Sequence, residues 1–335
     1  TGSAASPIAP CPNCTTSPAA SRPYSAGITP ENGRAPTSGT GTLNGYNGFV
    51  INGNVANYRL GAFVATGDIN DDGLADVAVS DNYNYGSLYV ILGRQLGGAK
   101  WSTGPSDSTH NWPSPLDLST YFDGYAGFQI TNVKGGVAFV DLNGDSFQDL
   151  AFNGPWYANP PDAYVLWGQK LGSSWSSGPS NTAHNWSASY NAISMPANCC
   201  LHITDSNGNT PYVESAGDFN ADGVADLALG EPYATINGNV NTGQAYVLYG
   251  SKSSMPSSID LPSLTHATGL KIVGCTAGEY AGGTVTGGDI NGDSYSDLMI
   301  GAPLATYNNN ANAGIGYVIY GKKTRSYDSL SLCCL

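Results

Sequence analysis

Short apolar runs recur along the chain between turn-forming residues. Runs rich in β-branched and aromatic residues, such as residues 88–92 and 245–249, each end at a glycine, and such segments are typical of strands. Gly, Asn, Asp and Ser fill the intervals and favour turns. No apolar run approaches the ~20 residues that a membrane-spanning helix needs. The pattern predicts an all-β, turn-rich protein without a membrane span.

A nine-residue acidic pattern of the form Asp-x-Asn-x-Asp-Gly/Ser-x-x-Asp occurs four times. The copies occupy residues 68–76, 141–149, 218–226 and 289–297. An apolar segment ending in Ile precedes each copy, at residues 48–51, 127–130, 200–203 and 269–272, and a Tyr-Val segment ending in Gly follows it, at residues 88–93, 163–168, 245–250 and 316–321. With the strands on either side of the loop, each repeat supplies four strands. A four-stranded antiparallel unit at a fixed period is typical of a β-propeller blade.

Asp-x-Asn-x-Asp-Gly-x-x-Asp-Leu, followed by Gly-x-Pro and by Tyr-Val ending in Gly, resembles the FG-GAP repeat of integrin α-subunit propellers and of bacterial and algal surface proteins. The resemblance covers roughly residues 42–323. It implies a β-propeller that holds a Ca²⁺ ion in the loop between the first two strands of each blade. Integrin propellers have seven blades, whereas this chain has four copies of the pattern.

The phase of the repeat suggests how the propeller ends meet. Residues 48–52 form a strand with no earlier blade to complete, and the last blade ends at its third strand, near residues 316–321. Pairing the two would remove both unpaired edges. We therefore expect residues 42–323 to form a four-bladed propeller closed within one chain by the N-terminal strand. Donation of that strand to a neighbouring chain is the alternative, and it would give a head-to-tail filament.

The acidic loops carry the candidate metal ligands. Ca²⁺ prefers six to eight oxygen ligands, and positions 1, 3, 5 and 9 of each loop offer side-chain oxygens while position 7 offers its carbonyl. The candidates are Asp68, Asn70, Asp72, Leu74 and Asp76; Asp141, Asn143, Asp145, Phe147 and Asp149; Asp218, Asn220, Asp222, Val224 and Asp226; and Asp289, Asn291, Asp293, Tyr295 and Asp297. The alternatives are simple Asp/Asn/Gly turns and an EF-hand, which would need flanking helices and a Glu at position 12. About four Ca²⁺ ions are expected.

The charge balance narrows the range of partners. The sequence has 12 Lys and Arg against 25 Asp and Glu, a net charge of −13. This charge disfavours nucleic acid and anionic membranes as partners. Four Ca²⁺ ions would reduce the net charge to about −5, so much of the acidity belongs to the predicted metal sites.

Two matching inserts follow the third strands of the first two repeats. They contain the candidate contact residues Trp101, His110, Trp112, Trp175, His184 and Trp186. Exposed Trp, His and Asn side chains could stack on a glycan or dock a protein. Alternatively, each Trp pins its own loop to the blade.

Cysteines and glycosylation sequons indicate an oxidising, extracellular setting. The sequons are at Asn13 and Asn185, and the disulfide candidates are Cys11, Cys14, Cys199, Cys200, Cys275, Cys333 and Cys334. Residues 1–41 are rich in Pro, Ser and Thr and are expected to be extended; residues 324–335 are expected to be a Cys-containing tail. Cysteines at both ends suggest covalent linkage within one chain or between chains.

The sequence contains no recognisable catalytic constellation. None of the four histidines belongs to a hydrolase or zinc motif. We therefore expect a non-enzymatic extracellular protein, a Ca²⁺-stabilised propeller subunit that self-associates into a surface assembly or filament. The alternative is an adhesion or lectin-like module that binds glycan or protein through the Trp-containing inserts.

Overall fold

The computed structural model describes residues 49–53, 55–81, 86–93, 116–118, 122, 124, 126–155, 162–169, 186–196, 198–323 and 328–334. The chain divides into two compact units, residues 1–42 and 43–335. All described residues belong to the second unit. The predicted extended tail, with Cys11, Asn13 and Cys14, lies outside the described residues.

The all-β prediction is confirmed. Four sheets follow one another along the chain, and each begins with the strand that enters an acidic loop. Sheet I contains β1 (Phe63–Gly67), β2 (Asp76–Ser80), β3 (Gly86–Ile91) and β4 (Gly127–Val133); sheet II contains β5 (Val137–Val140), β6 (Asp149–Asn153), β7 (Ala163–Leu166) and β9 (Cys200–Thr204). Sheet III contains β10 (Tyr212–Gly217), β11 (Asp226–Glu231), β12 (Gln244–Leu248) and β14 (Gly269–Val273); sheet IV contains β15 (Thr284–Gly288), β16 (Asp297–Ala302) and β17 (Ile315–Ile319). All pairs among these strands are antiparallel, as in a propeller blade.

Sheets I, II and III each carry a fifth strand that the repeat pattern did not predict. The strands β8 (Ser189–Asn191), β13 (Ser258–Asp260) and β18 (Ser329–Ser331) pair in parallel with β4, β9 and β14. A three-residue 3-10 helix follows each of them, at Ala192–Ser194, Leu261–Ser263 and Leu332–Cys334. Each fifth strand comes from the chain that follows the third strand of the next sheet. The repeats therefore interlock.

The C-terminal residues are part of sheet III. Residues 324–335 were predicted to be a tail, but Ser329–Ser331 pairs with β14, and Leu332 is buried against the cluster between sheets III and IV. This segment forms a strand because it occupies the fifth-strand position of sheet III, as β8 and β13 do in sheets I and II.

The N-terminal strand does not close a ring in this structure. Ile51 forms a parallel bridge with Leu116, and the amide of Leu116 donates to the carbonyl of Val50 at 2.7 Å. Phe49 and Ile51 pack against Val79 and Ile91 on the outer face of sheet I. Within the described residues this segment does not pair with β17, so the predicted ring closure and the count of four blades are not confirmed.

The core lies between neighbouring sheets. Separate apolar clusters fill the interfaces between sheets I and II, II and III, and III and IV. The first strands pack side by side in the order β1, β5, β10 and β15, while β15 makes no comparable contact with β1. None of the described helices is long and apolar enough to cross a membrane.

Candidate metal-binding loops

The four acidic loops occupy equivalent places in the four sheets. Each loop connects the first strand to the second, so that its ninth residue begins β2, β6, β11 or β16. Positions 4 and 6 are left-handed in every loop, and each loop has one glycine and one other residue there. These residues are Asp71 and Gly73, Gly144 and Ser146, Ala221 and Gly223, and Gly292 and Ser294. A non-glycine residue is strained in this conformation.

Side-chain oxygens at positions 1, 3 and 5 bind backbone amides of their own loop. In the third loop, Asp218 accepts from the amides of Asp222 and Gly223 at 3.0 and 2.9 Å. Asn220 accepts from the amide of Asp222 at 2.9 Å, and Asp222 accepts from that of Val224 at 2.9 Å. The other loops repeat this arrangement with small differences.

The aspartate at position 9 ties the loop to the third strand of its sheet. Asp76, Asp149, Asp226 and Asp297 are completely buried. One oxygen of each accepts the amide of position 2, and the other accepts the amide of the glycine that ends the Tyr-Val segment, at 2.7–3.0 Å. We call this arrangement the position-9 clamp. It explains why the repeat needs Asp rather than another oxygen donor, because both carboxylate oxygens are used.

The same contact explains the invariant glycine of the Tyr-Val segment. A Cβ atom added to Gly93, Gly168, Gly250 or Gly321 would lie within 2.5 Å of the carbonyl oxygen of position 8 in the loop. The backbone carbonyl cannot move far enough to accommodate a side chain there. Glycine therefore lets the amide reach the position-9 carboxylate.

Burial raises the pKa of the position-9 carboxyl groups in the first three loops. It brings the pKa of Asp76 to about 7 and that of Asp226 to about 8, and it raises the pKa of Asp149 well above its ordinary value, although backbone amides oppose the shift. The aspartates at positions 1 and 5 of the first two loops, and at position 5 of the third, raise it further. In the described part of the chain, no Lys, Arg or His side chain lies within 4.0 Å of a carboxylate in the second, third or fourth loop.

Each of the first three loops also bonds to the next sheet. The carbonyls of Ile69, Leu142 and Phe219, at position 2, accept the amides of Gln169, Ser251 and Lys322 at 3.0, 2.9 and 3.1 Å. These donors directly follow the glycines of the next third strand. The loops thus lie at the junctions between neighbouring sheets, where a rigid loop stabilises two sheets at once.

The donor set of each loop fits a hard divalent cation in its chemistry. Carboxylate and amide oxygens are the ligands that Ca²⁺ prefers, and an oxygen that accepts one amide keeps a second lone pair. Among the described residues, however, no group of three or more His, Cys, Asp or Glu side chains converges as a metal site. The carboxylates instead accept backbone amides.

Comparison with known proteins identifies the type of repeat that this chain carries. A family model for the FG-GAP repeat matches residues 210–248 and 281–319, which contain the third and fourth loops. The chain carries FG-GAP repeats. The resemblance inferred from the acidic loops is therefore confirmed, and the matched FG-GAP segments run from β10 through β12 and from just before β15 through β17.

The curated relatives share the FG-GAP region only. Phosphatidylinositol-glycan-specific phospholipase D from Bos taurus is 30% identical over 186 residues, which is 54% of this chain and 20% of that protein. Integrin alpha-3 from Cricetulus griseus is 27% identical over 173 residues, covering 50% of this chain and 14% of the integrin. Integrin alpha-PS2 from Drosophila melanogaster is 24% identical over 270 residues, covering 72% and 15%. The matched regions span about a fifth of these relatives' length or less.

Of the predicted contact surface in the inserts, the structure describes Trp186. Its side chain is 2% exposed and stacks on Phe128 of β4, with ring centroids 4.7 Å apart. Trp186 therefore anchors its loop to sheet I, and its assignment to an exposed contact surface is wrong. Trp101, His110, Trp112, Trp175, His184 and the sequon residue Asn185 lie outside the described residues.

The described cysteines include one disulfide and two free thiols, whereas Cys11 and Cys14 lie outside the described residues. Cys275 and Cys333 form a disulfide that fixes the C-terminal segment beside β14. Cys199 and Cys200 carry free thiols and are buried in the cluster between sheets I and II. The pairing of Cys275 with Cys333 was not evident from sequence, because their proximity depends on the fifth strand of sheet III.

A buried carboxyl pair was missed by sequence reasoning. Glu231, at the end of β11, and Asp205, after β9, are both completely buried. Gln244 donates its amide to Glu231 at 2.5 Å. Burial, followed by the charge of Asp205, raises the pKa of Glu231 to about 8. Both carboxyls are fully buried, so we assign the pair a structural role. The sequence gives no signal for it because Asp205 follows β9 of sheet II, whereas Glu231 ends β11 of sheet III.

We expect Glu231→Gln to flatten the pH dependence of stability. The pKa of Glu231 is higher in the folded chain than its ordinary value, so its contribution is fully present below about pH 4.5 and is lost as the pH rises through about 8. Glutamine keeps the hydrogen bonds without ionising. Urea denaturation at constant Ca²⁺ should show wild type losing a few kcal/mol more than the variant between pH 5 and pH 9. Parallel curves would contradict the assignment.

Proposed function

We propose that this chain is a non-enzymatic, extracellular structural module whose FG-GAP loops hold Ca²⁺ and whose sheets join it to other protein surfaces. The observation that supports it most is the repeated loop, in which three crowded carboxylates lie at a junction between sheets. Carboxylates within one loop repel one another, and among the described residues no Lys, Arg or His side chain lies within 4.0 Å of the buried position-9 group in the second, third or fourth loop. A bound Ca²⁺ ion would supply the positive charge that offsets this repulsion.

The residues of each loop have separate roles in this proposal. The side chains at positions 1, 3 and 5 and the carbonyl at position 7 would hold the ion. The position-5 aspartate would contact it from the solvent side, because that residue is exposed in all four loops, whereas Asn70 at position 3 of the first loop is buried. The position-9 aspartate would hold it from the buried side while keeping its clamp. The loop would then transmit its rigidity to the next sheet through the position-2 carbonyl.

The extracellular assignment rests on two observations. The Cys275–Cys333 disulfide is typical of an oxidising compartment. The similarity to integrin alpha chains suggests an adhesion or ligand-binding module with protein partners. The similarity to a phospholipase D covers 20% of that protein, and we propose that the shared FG-GAP region serves as a scaffold rather than as a catalytic part.

An adhesion module that binds a ligand through its inserts is the second candidate. Similarity to integrin alpha chains favours it. The burial of Trp186 argues against that residue as a ligand contact, so the structural role is our first choice.

Calcium titration tests the proposal. Isothermal calorimetry on the purified chain should give about four sites, and EGTA should lower the melting temperature by mass action. Asp145→Ala should remove one site, because Asp145 occupies position 5 of the second loop. Asp328→Ala is the matched control, since this exposed carboxylate lies outside the loops and should leave the stoichiometry unchanged. No heat of binding together with an unchanged melting curve in EGTA would refute the calcium role.

A further inference from the structure

The row of four sheets ends in two faces that lack the neighbour each interior sheet has. Val318 on β17 is 46% exposed, whereas its equivalents Val90, Val165 and Val247 are fully buried between sheets. Ile290, at position 2 of the fourth loop, is 51% exposed, whereas Ile69, Leu142 and Phe219 are fully buried. The outer face of sheet IV therefore carries apolar side chains at positions that are buried between sheets in the other repeats.

The opposite end of the row shows the same feature. Val64 on β1 is 66% exposed, whereas its equivalents Val137, Val213 and Val285 are buried by the preceding sheet. Phe49 and Ile51 cover the part of the outer face of sheet I that β2 and β3 form, whereas Val64 on β1 remains exposed. Two complementary interior-type faces therefore lie at the two ends of one chain.

The strands at the two ends are complementary as well. Among the described residues, sheet IV has three strands. No described strand pairs with the edge of β17 that corresponds to the edges where β4, β9 and β14 pair in the other sheets. Residues 49–51 match those fourth strands in sequence position, and Ile51 pairs with Leu116 as Ile130, Ile203 and Ile272 pair with their fifth strands. Residues 49–51 and Leu116 thus correspond to a fourth and a fifth strand that lack the first three strands of their sheet. Among the described residues, sheet IV has those first three strands and lacks the fourth and fifth.

We propose that copies of this chain associate head to tail, with residues 49–51 of one copy completing sheet IV of the next copy. The register of β12 with β14 places Phe49 opposite Val318 and Ile51 opposite Gly316. The outer face of sheet I then packs on the outer face of sheet IV, burying Val64, Ile290 and Val318. This inference rests on the proposed structural function and identifies a second copy as the partner.

A second copy fits this surface better than any unrelated partner. Its donated strand carries the repeat's own sequence, so backbone pairing and side-chain packing match those already present three times within the chain. An open strand edge also invites such pairing. The contact joins two different surfaces, so it forms a closed ring when the rotation closes and an open filament when it does not.

Single charge substitutions at the two ends test the inference. The full chain in Ca²⁺ should increase in mass with concentration in analytical ultracentrifugation, and electron microscopy should show rings or filaments. Val64→Asp and Val318→Asp should each raise the dissociation constant by about a hundredfold or more, because an unpaired carboxylate would be buried. Val240→Asp is the control, since Val240 is equally exposed but lies within the third repeat, away from both ends.

Mixing the two end variants distinguishes a head-to-tail contact from any symmetric one. Each variant keeps one intact end, so an equimolar mixture should form a one-to-one dimer that does not grow. A mixture that stays monomeric, a wild type that stays monomeric, or a control variant that dissociates as readily as the end variants would overturn the inference. Calcium binding is measured on the same samples, so wild type that binds Ca²⁺ but stays monomeric refutes this contact and leaves the calcium role intact.

Discussion

Replacing Asp226 by alanine is expected to destabilise the chain by about 2–6 kcal/mol, because two buried backbone amides lose the carboxylate that accepts them, at about 1–3 kcal/mol each. These amides belong to Phe219 and Gly250, at 2.8 and 2.9 Å from the carboxylate. The substitution opens the position-9 clamp, which connects the loop to β12. Urea denaturation monitored by circular dichroism should show the loss even in EGTA.

Asp222→Ala provides the matched comparison in the same loop. Asp222 is exposed and accepts one backbone amide, from Val224 at 2.9 Å, and the side-chain amide of Asn220 at 3.0 Å. Because both hydrogen bonds are at the surface, the loss in EGTA should be about 1 kcal/mol. In Ca²⁺, both variants should lose the third metal site. Equal destabilisation of the two variants in EGTA would show that the clamp contributes no more than an ordinary surface hydrogen bond.

Cys275→Ser is expected to cost about 4 kcal/mol, which follows from the loop entropy of a disulfide that closes a separation of 58 residues. The melting temperature should fall by roughly 8 °C. Reduction of the wild type by dithiothreitol should produce a similar fall. The cause is the release of β18, which the disulfide holds beside β14.

The reducing agent also provides the control for this disulfide. Dithiothreitol should leave the melting temperature of Cys275→Ser unchanged, since the buried Cys199 and Cys200 are already free thiols. A further fall on reduction of the variant would mean that another disulfide stabilises the chain.

The acidic loops could be predicted from sequence because their chemistry is local. Asp, Asn and Gly at fixed positions specify the turn and the oxygen donors, and four copies in phase locate the strands on both sides. The position-9 clamp was less evident, since its second amide donor follows 17 residues later in the first repeat. The signal was nevertheless present, in the glycine that ends every Tyr-Val segment.

The remaining features depend on which sheets meet, and the repeat pattern does not encode this. Ser258–Asp260 is short and half polar, and it becomes a strand only because Cys200–Thr204 offers an edge. Closure of a ring could not be derived from the number of strands, because that number does not determine the angle between successive sheets. The burial of Trp186 was not evident from sequence, because its partner Phe128 lies in β4 of sheet I, whereas Trp186 follows the third strand of sheet II.

The parallel fifth strands have a consequence for the order in which the chain can fold. Sheet I acquires its last strand at Ser189–Asn191, after β7 of sheet II has been synthesised, and sheet III acquires its last strand at Ser329–Ser331, after all of sheet IV. A nascent chain on the ribosome therefore holds one unfinished sheet at every stage. Chain fragments cut between repeats should be poorer folding units than their length suggests, and sheet III should be completed only after residues 329–331 have emerged.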